Sequence, residues 1–197
     1  MAARDGVDPR LVAALARQLA SRRGDRVGWK LGVGDAERIG GTLSVGHLTT
    51  STLLEDGQTY DAGGAAIHAD AEVAVVVGVG YAPALELVDL SNADDGADAV
   101  VATNIFHRAV AFGDTRIHLP AELEGLLVVN GEVRTRAPVP RLDDRLAEAA
   151  AVLAAAGEGL QHGDRVITGS VVQTSVELGD DVTADFGELG RVTLRLA

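Results

Sequence analysis

After residue 26, the apolar residues of this chain come in short runs that glycines interrupt. The 197 residues include 24 glycines, where average usage of roughly 7% would give about 14. Between residues 26 and 60, the interrupting glycines are Gly28, Gly32, Gly34, Gly40, Gly41 and Gly46. Because glycine suits tight turns and weakens helices, this spacing predicts short strands joined by loops.

Further strands are predicted from runs of β-branched and apolar residues. The run at residues 73–79 is typical of a strand that is buried on both faces, and residues 99–112 are also predicted to be rich in strand. Asn130-Gly131 suits a type I′ turn and predicts a hairpin between residues 126–129 and 133–136.

Two more hairpins and one isolated strand follow from the same signals. Asp56-Gly57 predicts a hairpin turn. Residues 182–186 and 191–196 are expected to pair across a glycine-rich turn, because apolar and polar residues alternate in the second segment. Residues 165–168 predict a further strand.

Helices are predicted at two places. Asp8 and Pro9 resemble an N-cap and a first helical position, and leucines at 11, 15 and 19 form one stripe of a helix that ends near residues 22–24. A second helix is expected at residues 142–156, followed by Gly157 as its C′ glycine. The fold class is therefore mostly β, a β-rich α+β arrangement with two or three helices, in one domain.

Composition excludes several classes of function. Lys plus Arg number 17 and Asp plus Glu number 29, so the net charge is 17 − 29 = −12, which opposes binding to nucleic acids and anionic membranes. The absence of cysteine excludes disulfides and zinc–thiolate sites. Charges at Arg4 and Asp5 speak against a signal peptide, and no uncharged apolar run reaches ~18 residues, so we expect a cytoplasmic protein.

Two common enzyme motifs are also missing. The glycines at 32, 34, 40 and 41 do not have the spacing of a dinucleotide-binding loop, and no helix pattern follows them. The chain has no Gly-x-Ser-x-Gly motif, which disfavours a serine hydrolase.

The acidic residues around position 70 are the main candidates for chemistry. Residues two apart on a strand lie on one face, so Asp70 and Glu72 should point the same way, with His68 beside them. Glu72 opens an otherwise apolar strand, and Glu86 lies in a second apolar segment. Buried carboxylates need a partner or a metal, and three of them without cysteine suit Mg²⁺ or Mn²⁺. The alternative is that Asp70 and Glu72 lie on a solvated strand edge and that Glu86 begins a surface helix.

Four motifs, taken in order along the chain, resemble the fumarylacetoacetate hydrolase superfamily. They are GWKLG at residues 28–32, DAEVA at 70–74, PALELVD at 83–89 and GDRVITGS at 163–170. The branch most similar to them contains the 2-keto-4-pentenoate hydratases and 4-oxalocrotonate decarboxylases, and the resemblance covers about residues 26–197. It implies a fumarylacetoacetate hydrolase-like mixed β-sheet roll with peripheral helices. Residues 26–197 would form the catalytic domain, and residues 1–25 an N-terminal helix.

The resemblance also implies roles for eight residues. Asp70, Glu72 and Glu86 would hold one divalent metal, Mg²⁺ or Mn²⁺, with Asp70 standing where the family commonly has glutamate. Lys30 matches the active-site lysine of the hydratase branch. The remaining matches, expected to contact substrate, are Thr168, Gly169, Ser170 and Asn104. His107 and Arg108 stand where small residues are usual in the family.

The implied activity is that of a metal-dependent lyase on a small unsaturated 2-oxo acid. The acid would chelate the metal, which stabilises the enolate that forms during hydration or decarboxylation, and Lys30 would supply positive charge or shuttle a proton. One alternative is an acylpyruvate- or oxaloacetate-type hydrolase or decarboxylase of the same superfamily. Another is a shortened, non-catalytic homologue that serves as a binding subunit, since the segment at residues 78–82 is shorter than in the family. Homodimers or larger homo-oligomers are expected.

Overall fold

The computed structural model describes residues 8–33 and 43–197. The N-terminal charges at Arg4 and Asp5 and the glycines at 34, 40 and 41 lie outside the described residues. The helices within these ranges are α1 (Pro9–Ala20), α2 (Ala97–Ala102), α3 (Asp143–Ala155) and a short 3₁₀ helix (Gly187–Leu189). The strands are β1 (Arg26–Val33), β2 (Leu43–Thr49), β3 (Leu53–Leu54), β4 (Thr59–Tyr60), β5 (Ile67–Val76), β6 (Gly80–Asp89), β7 (His107–Phe112), β8 (Glu124–Val129), β9 (Glu132–Pro138), β10 (Arg165–Ile167), β11 (Val172–Val176), β12 (Asp181–Asp185) and β13 (Arg191–Leu196).

Both predicted helices are confirmed, with the caps that the sequence indicates. The Asp8 side chain accepts a hydrogen bond from the backbone N–H of Arg10 at 2.8 Å and so caps α1. Gly157 follows α3 with φ of 78°, the left-handed conformation that commonly ends a helix. None of the helices in the described part of the chain is long and apolar enough to cross a membrane.

Thirteen strands form two mixed sheets in the described residues. The larger sheet has the order β2-β1-β10-β5-β6-β7-β3, with β11 pairing alongside the first half of β5. The smaller sheet has the order β4-β13-β12-β8-β9. The predicted mostly β fold class is confirmed, and the larger sheet places β5 at its centre, where it pairs with three other strands.

The predicted hairpins at Asn130-Gly131 and at residues 182–196 are confirmed. Strands β8 and β9 pair across Asn130 and Gly131, whose φ angles of 52° and 81° are those of a type I′ turn. Strands β12 and β13 pair in antiparallel register. The strand predicted at residues 73–79 also forms, but β5 ends at Val76, because residues 77–79 make the tight turn into β6.

The hairpin predicted at Asp56-Gly57 is wrong. A turn forms there, but β3 pairs with β7 in the larger sheet, whereas β4 pairs with β13 in the smaller one. The turn is bonded to β13, because the Gly57 N–H donates to the carbonyl of Thr193 and the Thr193 N–H donates to Asp56. These two-residue strands therefore find partners in separate sheets and connect them.

The strand predicted at residues 99–112 is only half right. Residues 97–102 form helix α2, which suits their alanine content, and only His107–Phe112 form a strand, β7. Between them, Asn104, Ile105 and Phe106 have φ angles of 66°, 51° and 66°. Three consecutive non-glycine residues in the left-handed region are rare and strained, and this turn borders the candidate site.

The alternation of side chains along β5 separates the main core from the candidate site. Residues 69, 71, 73 and 75 face the smaller sheet and pack against Leu127, Phe186 and Leu194. Residues 70, 72, 74 and 76 face the opposite way, and Ala74 and Val76 pack there against Val110 and Ile167. Asp70 and Glu72 thus lie on the apolar inner face of the larger sheet, away from its contact with the smaller one.

Candidate metal centre

Strand register brings three carboxylates together at the centre of the larger sheet. Asp70 on β5 is the direct cross-strand partner of Glu86 on β6, and Glu72 lies two residues along on the same face. One oxygen atom from each of the three lies within 4.8 Å of the others. The residues are buried, with exposed fractions of 5% for Asp70, 1% for Glu72 and 0% for Glu86. The alternative of a solvated edge and a surface helix is therefore wrong for these three residues.

Burial and mutual repulsion shift the pKa values of two of these carboxyl groups upward. Burial, followed by the charge of Glu86, raises the pKa of Asp70 to about 7. The same two causes raise the pKa of Glu72 well above its usual range. Burial also acts to raise the pKa of Glu86, but the charge of Lys30 and a hydrogen bond from His107 outweigh it, so its pKa is lowered. Glu86 is consequently the one of these three carboxyl groups whose surroundings favour the ionised form.

Lys30 reaches the carboxylates from β1. Side chains alternate along this strand, so Trp29 and Leu31 pack against the helices while Lys30 faces inward. Its Nζ lies 2.6 Å from Oε1 of Glu86 and donates to the backbone carbonyl of Ile105 at 2.8 Å. Lys30 is the only lysine of the chain. A lysine that occurs only once favours a functional role, and the prediction from sequence did not draw on this observation.

The left-handed turn at residues 104–106 aims a carbonyl at Lys30. The Asn104 amide fixes the turn to β2, since its Oδ1 accepts from the His47 N–H at 2.8 Å and its Nδ2 donates to the His47 carbonyl at 3.0 Å. Both polar ends of the Asn104 side chain are thus bonded to backbone. Asn104 therefore contacts β2 and is not among the residues that line the cavity described below.

The loop at residues 168–170 lies against Asp70 and Glu72. The Gly169 N–H donates to Oε2 of Glu72 at 2.7 Å, and the Ser170 hydroxyl donates to Oδ1 of Asp70 at 3.2 Å. The Thr168 hydroxyl donates to the carbonyl of Val73 and therefore ties the loop to β5. Of the three, Ser170 is the one whose side chain contacts an acidic residue and lines the cavity.

His107 belongs to the site, although the sequence did not predict it as a site residue and only set it against the small residues usual at this position in the family. Its Nδ1 lies 2.7 Å from Oε1 of Glu86, and its Nε2 lies 2.9 Å from Oγ1 of Thr52. Burial lowers the pKa of His107, which favours the neutral ring. His68, expected beside Asp70 and Glu72, is not part of the carboxylate group that the described residues form.

The three carboxylates and Lys30 line a cavity of about 190 Å³. Its floor is formed by the three carboxylates and Lys30, and its walls by apolar side chains together with Ser170 and Gln173. The apolar wall residues are Leu31, Val33, Val88, Leu90, Ile105 and Phe106. A cavity below the roughly 300–1,000 Å³ of drug-sized ligand sites suits a small acid rather than a nucleotide.

The donor set fits a hard divalent cation. It consists of carboxylate oxygens, the ligands that Mg²⁺ and Mn²⁺ prefer. Oε2 of Glu86 is buried and has no hydrogen-bond partner among the described residues, and a buried acceptor of this kind is costly to leave unpaired. A cation would also relieve the repulsion that raises the pKa values of Asp70 and Glu72.

Comparison with known structures identifies the fold. No protein-family model and no curated protein sequence matches the chain. Among solved structures, 4-oxalocrotonate decarboxylase from Pseudomonas putida G7, complexed with magnesium and adipate, aligns with a TM-score of 0.82 and 22% identity over 95% of this chain and 86% of that one. The chain has the fumarylacetoacetate hydrolase-like fold. The resemblance inferred from the four sequence motifs is thus confirmed at the level of the fold.

Other structures with the fumarylacetoacetate hydrolase-like fold catalyse different reactions. Fumarylpyruvate hydrolase from Pseudomonas aeruginosa, in complex with Mn²⁺ and pyruvate, aligns with a TM-score of 0.63 and 16% identity over 88% of this chain and 90% of that one. The 5-carboxymethyl-2-hydroxymuconate delta-isomerase from Mycobacterium smegmatis aligns with a TM-score of 0.67 and 17% identity over 87% and 78%. The fold alone therefore does not select a reaction.

Proposed function

We propose that this protein is a divalent-metal-dependent lyase, a hydratase or decarboxylase, that acts on a small unsaturated 2-oxo acid. The observation that carries the proposal is the group of three buried carboxylates facing one lysine in a small cavity. Asp70, Glu72 and Glu86 would hold Mg²⁺ or Mn²⁺. The solved decarboxylase and hydrolase with this fold were crystallised with magnesium and with Mn²⁺, which supports the choice of cation.

The cation, when bound, would act as a Lewis acid that offsets the negative charge a 2-oxo acid develops as it loses a proton or CO₂. Lys30 would add a second positive charge on the opposite side of Glu86, held by the Ile105 carbonyl. Its ammonium can also deliver a proton to the reacting carbon chain. The apolar walls would exclude water and strengthen both interactions.

The proposal gives the substrate-binding residues two kinds of role. Ser170 lines the cavity and can donate to a substrate carboxylate once its bond to Asp70 is exchanged. Thr168, Gly169 and Asn104 have their polar groups committed to backbone or to Glu72. Direct substrate contact by these three stays a prediction, while their bonds hold the cavity in shape.

The residues around the cavity favour a lyase over a hydrolase. Hydrolysis of an acylpyruvate needs a base that activates water. In the described lining of the cavity, the ionisable groups are the three carboxylates and Lys30. His107 and His47 have ring nitrogens bonded to Glu86, Thr52 and Gln18. Decarboxylation asks only for charge stabilisation and proton delivery, which these residues offer. In hydration, one of the carboxylates would also have to take the proton that the added water loses.

Three assays on the purified protein test the proposal. Hydration of 2-hydroxypenta-2,4-dienoate, decarboxylation of 4-oxalocrotonate and cleavage of an acylpyruvate would be measured with Mg²⁺, with Mn²⁺ and with a chelator. Metal-dependent turnover in either of the first two supports the lyase. Rapid acylpyruvate cleavage would support the hydrolase instead, and no turnover of any substrate would favour a binding subunit.

Variants at one metal ligand make the test specific. Glu72→Ala should abolish Mn²⁺ binding while leaving the fold intact, whereas Glu177→Ala, at an exposed position, should bind like wild type. Full metal affinity in Glu72→Ala would overturn the proposal.

The same proposal includes the domain division and the assembly. Residues 1–25 would form an N-terminal helix and residues 26–197 the catalytic domain, and the protein would assemble into a homodimer or larger homo-oligomer.

A further inference from the structure

The two oxygens of Glu86 are used unequally. Oε1 lies 2.6 Å from Nζ of Lys30 and 2.7 Å from Nδ1 of His107. Oε2 is buried and has no hydrogen-bond partner among the described residues. A carboxylate can accept about four hydrogen bonds, so this one-sided arrangement leaves one oxygen wholly available.

We propose that His107, held by Thr52, is a positioning residue that pins Oε1 of Glu86 so that Oε2 is the oxygen offered to the cation. This inference rests on the proposed metal-dependent function and adds two residues to its site. Neither residue touches the other two carboxylates in the contacts the structure shows. Both act through Glu86.

The hydrogen-bond pattern determines which ring nitrogen of His107 carries the proton. Because Glu86 is ionised beside Lys30, the short contact to Nδ1 requires an N–H that donates to Oε1. In the neutral ring, Nε2 must then accept, and the Thr52 hydroxyl at 2.9 Å is its donor. The Thr52 hydroxyl also lies 3.3 Å from the carbonyl of Thr49, a longer and weaker alternative.

The surroundings of His107 make this orientation rigid. Its side chain is 1% exposed, and it begins β7, next to the left-handed turn that carries Ile105. The ring therefore cannot rotate without breaking both bonds in a buried setting. Residues that orient a metal ligand in this way usually change metal affinity by about 10–100-fold when they are removed.

Two substitutions at His107 separate its bonds. The amide nitrogen of Asn can occupy the position of Nδ1, so His107→Asn should keep the bond to Glu86. The longer His107→Gln places its amide near the position of Nε2 and should lose that bond. In Mn²⁺ titrations followed by electron paramagnetic resonance, we expect about 10–100-fold weaker binding for His107→Gln. For His107→Asn, which keeps the bond to Glu86 but lacks the bond to Thr52, we expect a loss of no more than a few-fold. Equal, wild-type affinity in both variants would overturn the inference while leaving the proposed metal site standing.

Thr52→Val removes the hydroxyl that bonds Nε2 of His107 and changes the shape of the side chain little. This variant remains informative if a His107 variant does not fold. We expect Mn²⁺ binding a few-fold weaker than in wild type, a smaller loss than in His107→Gln, and a lower thermal midpoint, because Nε2 of His107 loses its donor in a buried setting. Nitrogen-15 NMR of the imidazole gives a readout that is independent of metal. In the metal-free wild type, we expect Nδ1 to carry the proton that bonds Glu86, and a ring protonated at Nε2 alone would overturn the inference. Failure of the wild type to bind Mn²⁺ at all would instead overturn the proposed function.

Discussion

The ammonium of Lys30 and the carboxylate of Glu86 form an ion pair of 2.6 Å in which both side chains are at least 95% buried. They come from β1 and β6, strands that are not neighbours in the larger sheet, so the curl of that sheet is what brings them together. A buried pair of this kind is weak evidence for stability, because desolvation of both charges offsets their attraction. The ion pair lies beside two further carboxylates, which indicates a role in the candidate site rather than in stability.

Two substitutions of Lys30 should separate the contribution of its positive charge from the contribution of proton transfer. Lys30→Met removes both and leaves Glu86 buried without its ammonium, so we expect a loss of about 3–5 kcal/mol in stability and a loss of activity of about 10²–10⁴-fold. Lys30→Arg keeps the charge but cannot release a proton, and should recover stability more than turnover. Urea denaturation and steady-state kinetics check both values. Wild-type turnover in Lys30→Met would exclude Lys30 from catalysis.

Asp70 should contribute less and less to the stability of the metal-free protein as pH rises from about 4 to 7. Burial raises the pKa of this carboxyl group to about 7, so in this window the folded state binds more protons there than the unfolded state does. The contribution of Asp70 to stability therefore falls with increasing pH, by about 2–4 kcal/mol across the window. His47, whose pKa burial lowers to about 4, acts in the opposite direction between pH 4 and about 6.5.

Comparison with Asp70→Asn isolates this carboxyl group from His47. The stability of the metal-free variant should exceed that of wild type by more near pH 8 than near pH 5. Mg²⁺ should stabilise wild type more at pH 8 than at pH 5, because the cation binds the deprotonated carboxylates. Thermal midpoints at the two pH values measure both effects, and a metal-free wild type that is as stable as Asp70→Asn at pH 8 would contradict the prediction.

Asn104 should matter through its backbone bonds and through its conformation. Asn104→Ala leaves the N–H and carbonyl of His47 without their partner and places alanine at a φ of 66°, so we expect a loss of about 1–3 kcal/mol. Asn104→Gly loses the same bonds but tolerates the φ angle. Both variants should lower turnover by loosening the Ile105 carbonyl that holds Lys30. If Asn104→Gly keeps full activity while unfolding more easily, the turn serves stability alone.

The local elements were predictable because their signals are local. The cap at Asp8, the type I′ turn at Asn130-Gly131 and the β-branched run near Val73 each favour one structure through neighbouring residues alone. The hairpin predicted at Asp56-Gly57 does not form, because its flanking strands pair with strands that lie far along the chain. Pairing with those strands outweighed hairpin formation. The strand predicted over residues 99–112 is only partly formed, because three strained residues divide the segment. Only tertiary contacts can maintain that strain.

The candidate site was likewise predictable where its signals are local and unpredictable where they depend on distant residues. Spacing along one strand placed Asp70 and Glu72 on one face, but it could not show that Glu86 would be the cross-strand partner of Asp70. That register depends on the tight turn at residues 77–79. The apolar segment around Glu86 made that residue a candidate, and family resemblance added Lys30. His107 was considered for the pocket but not predicted as a site residue, because its role depends on Thr52, which lies 55 positions away. A lone lysine among 17 basic residues was the one unused signal in the sequence.

Gly46 should prove essential because Lys30 crosses directly over it. A Cβ atom at this position would lie 2.7 Å from Cγ of Lys30 and 2.6 Å from Oδ1 of Asn104, closer than packed atoms allow. Gly46→Ala should therefore displace the lysine, at about 1–3 kcal/mol in stability, and reduce turnover far more than it reduces Mn²⁺ affinity, because none of the three carboxylates is touched. Gly159→Ala, where a Cβ meets nothing within 4 Å, is the matched control. Unchanged turnover in Gly46→Ala would mean that the position of Lys30 does not limit the reaction.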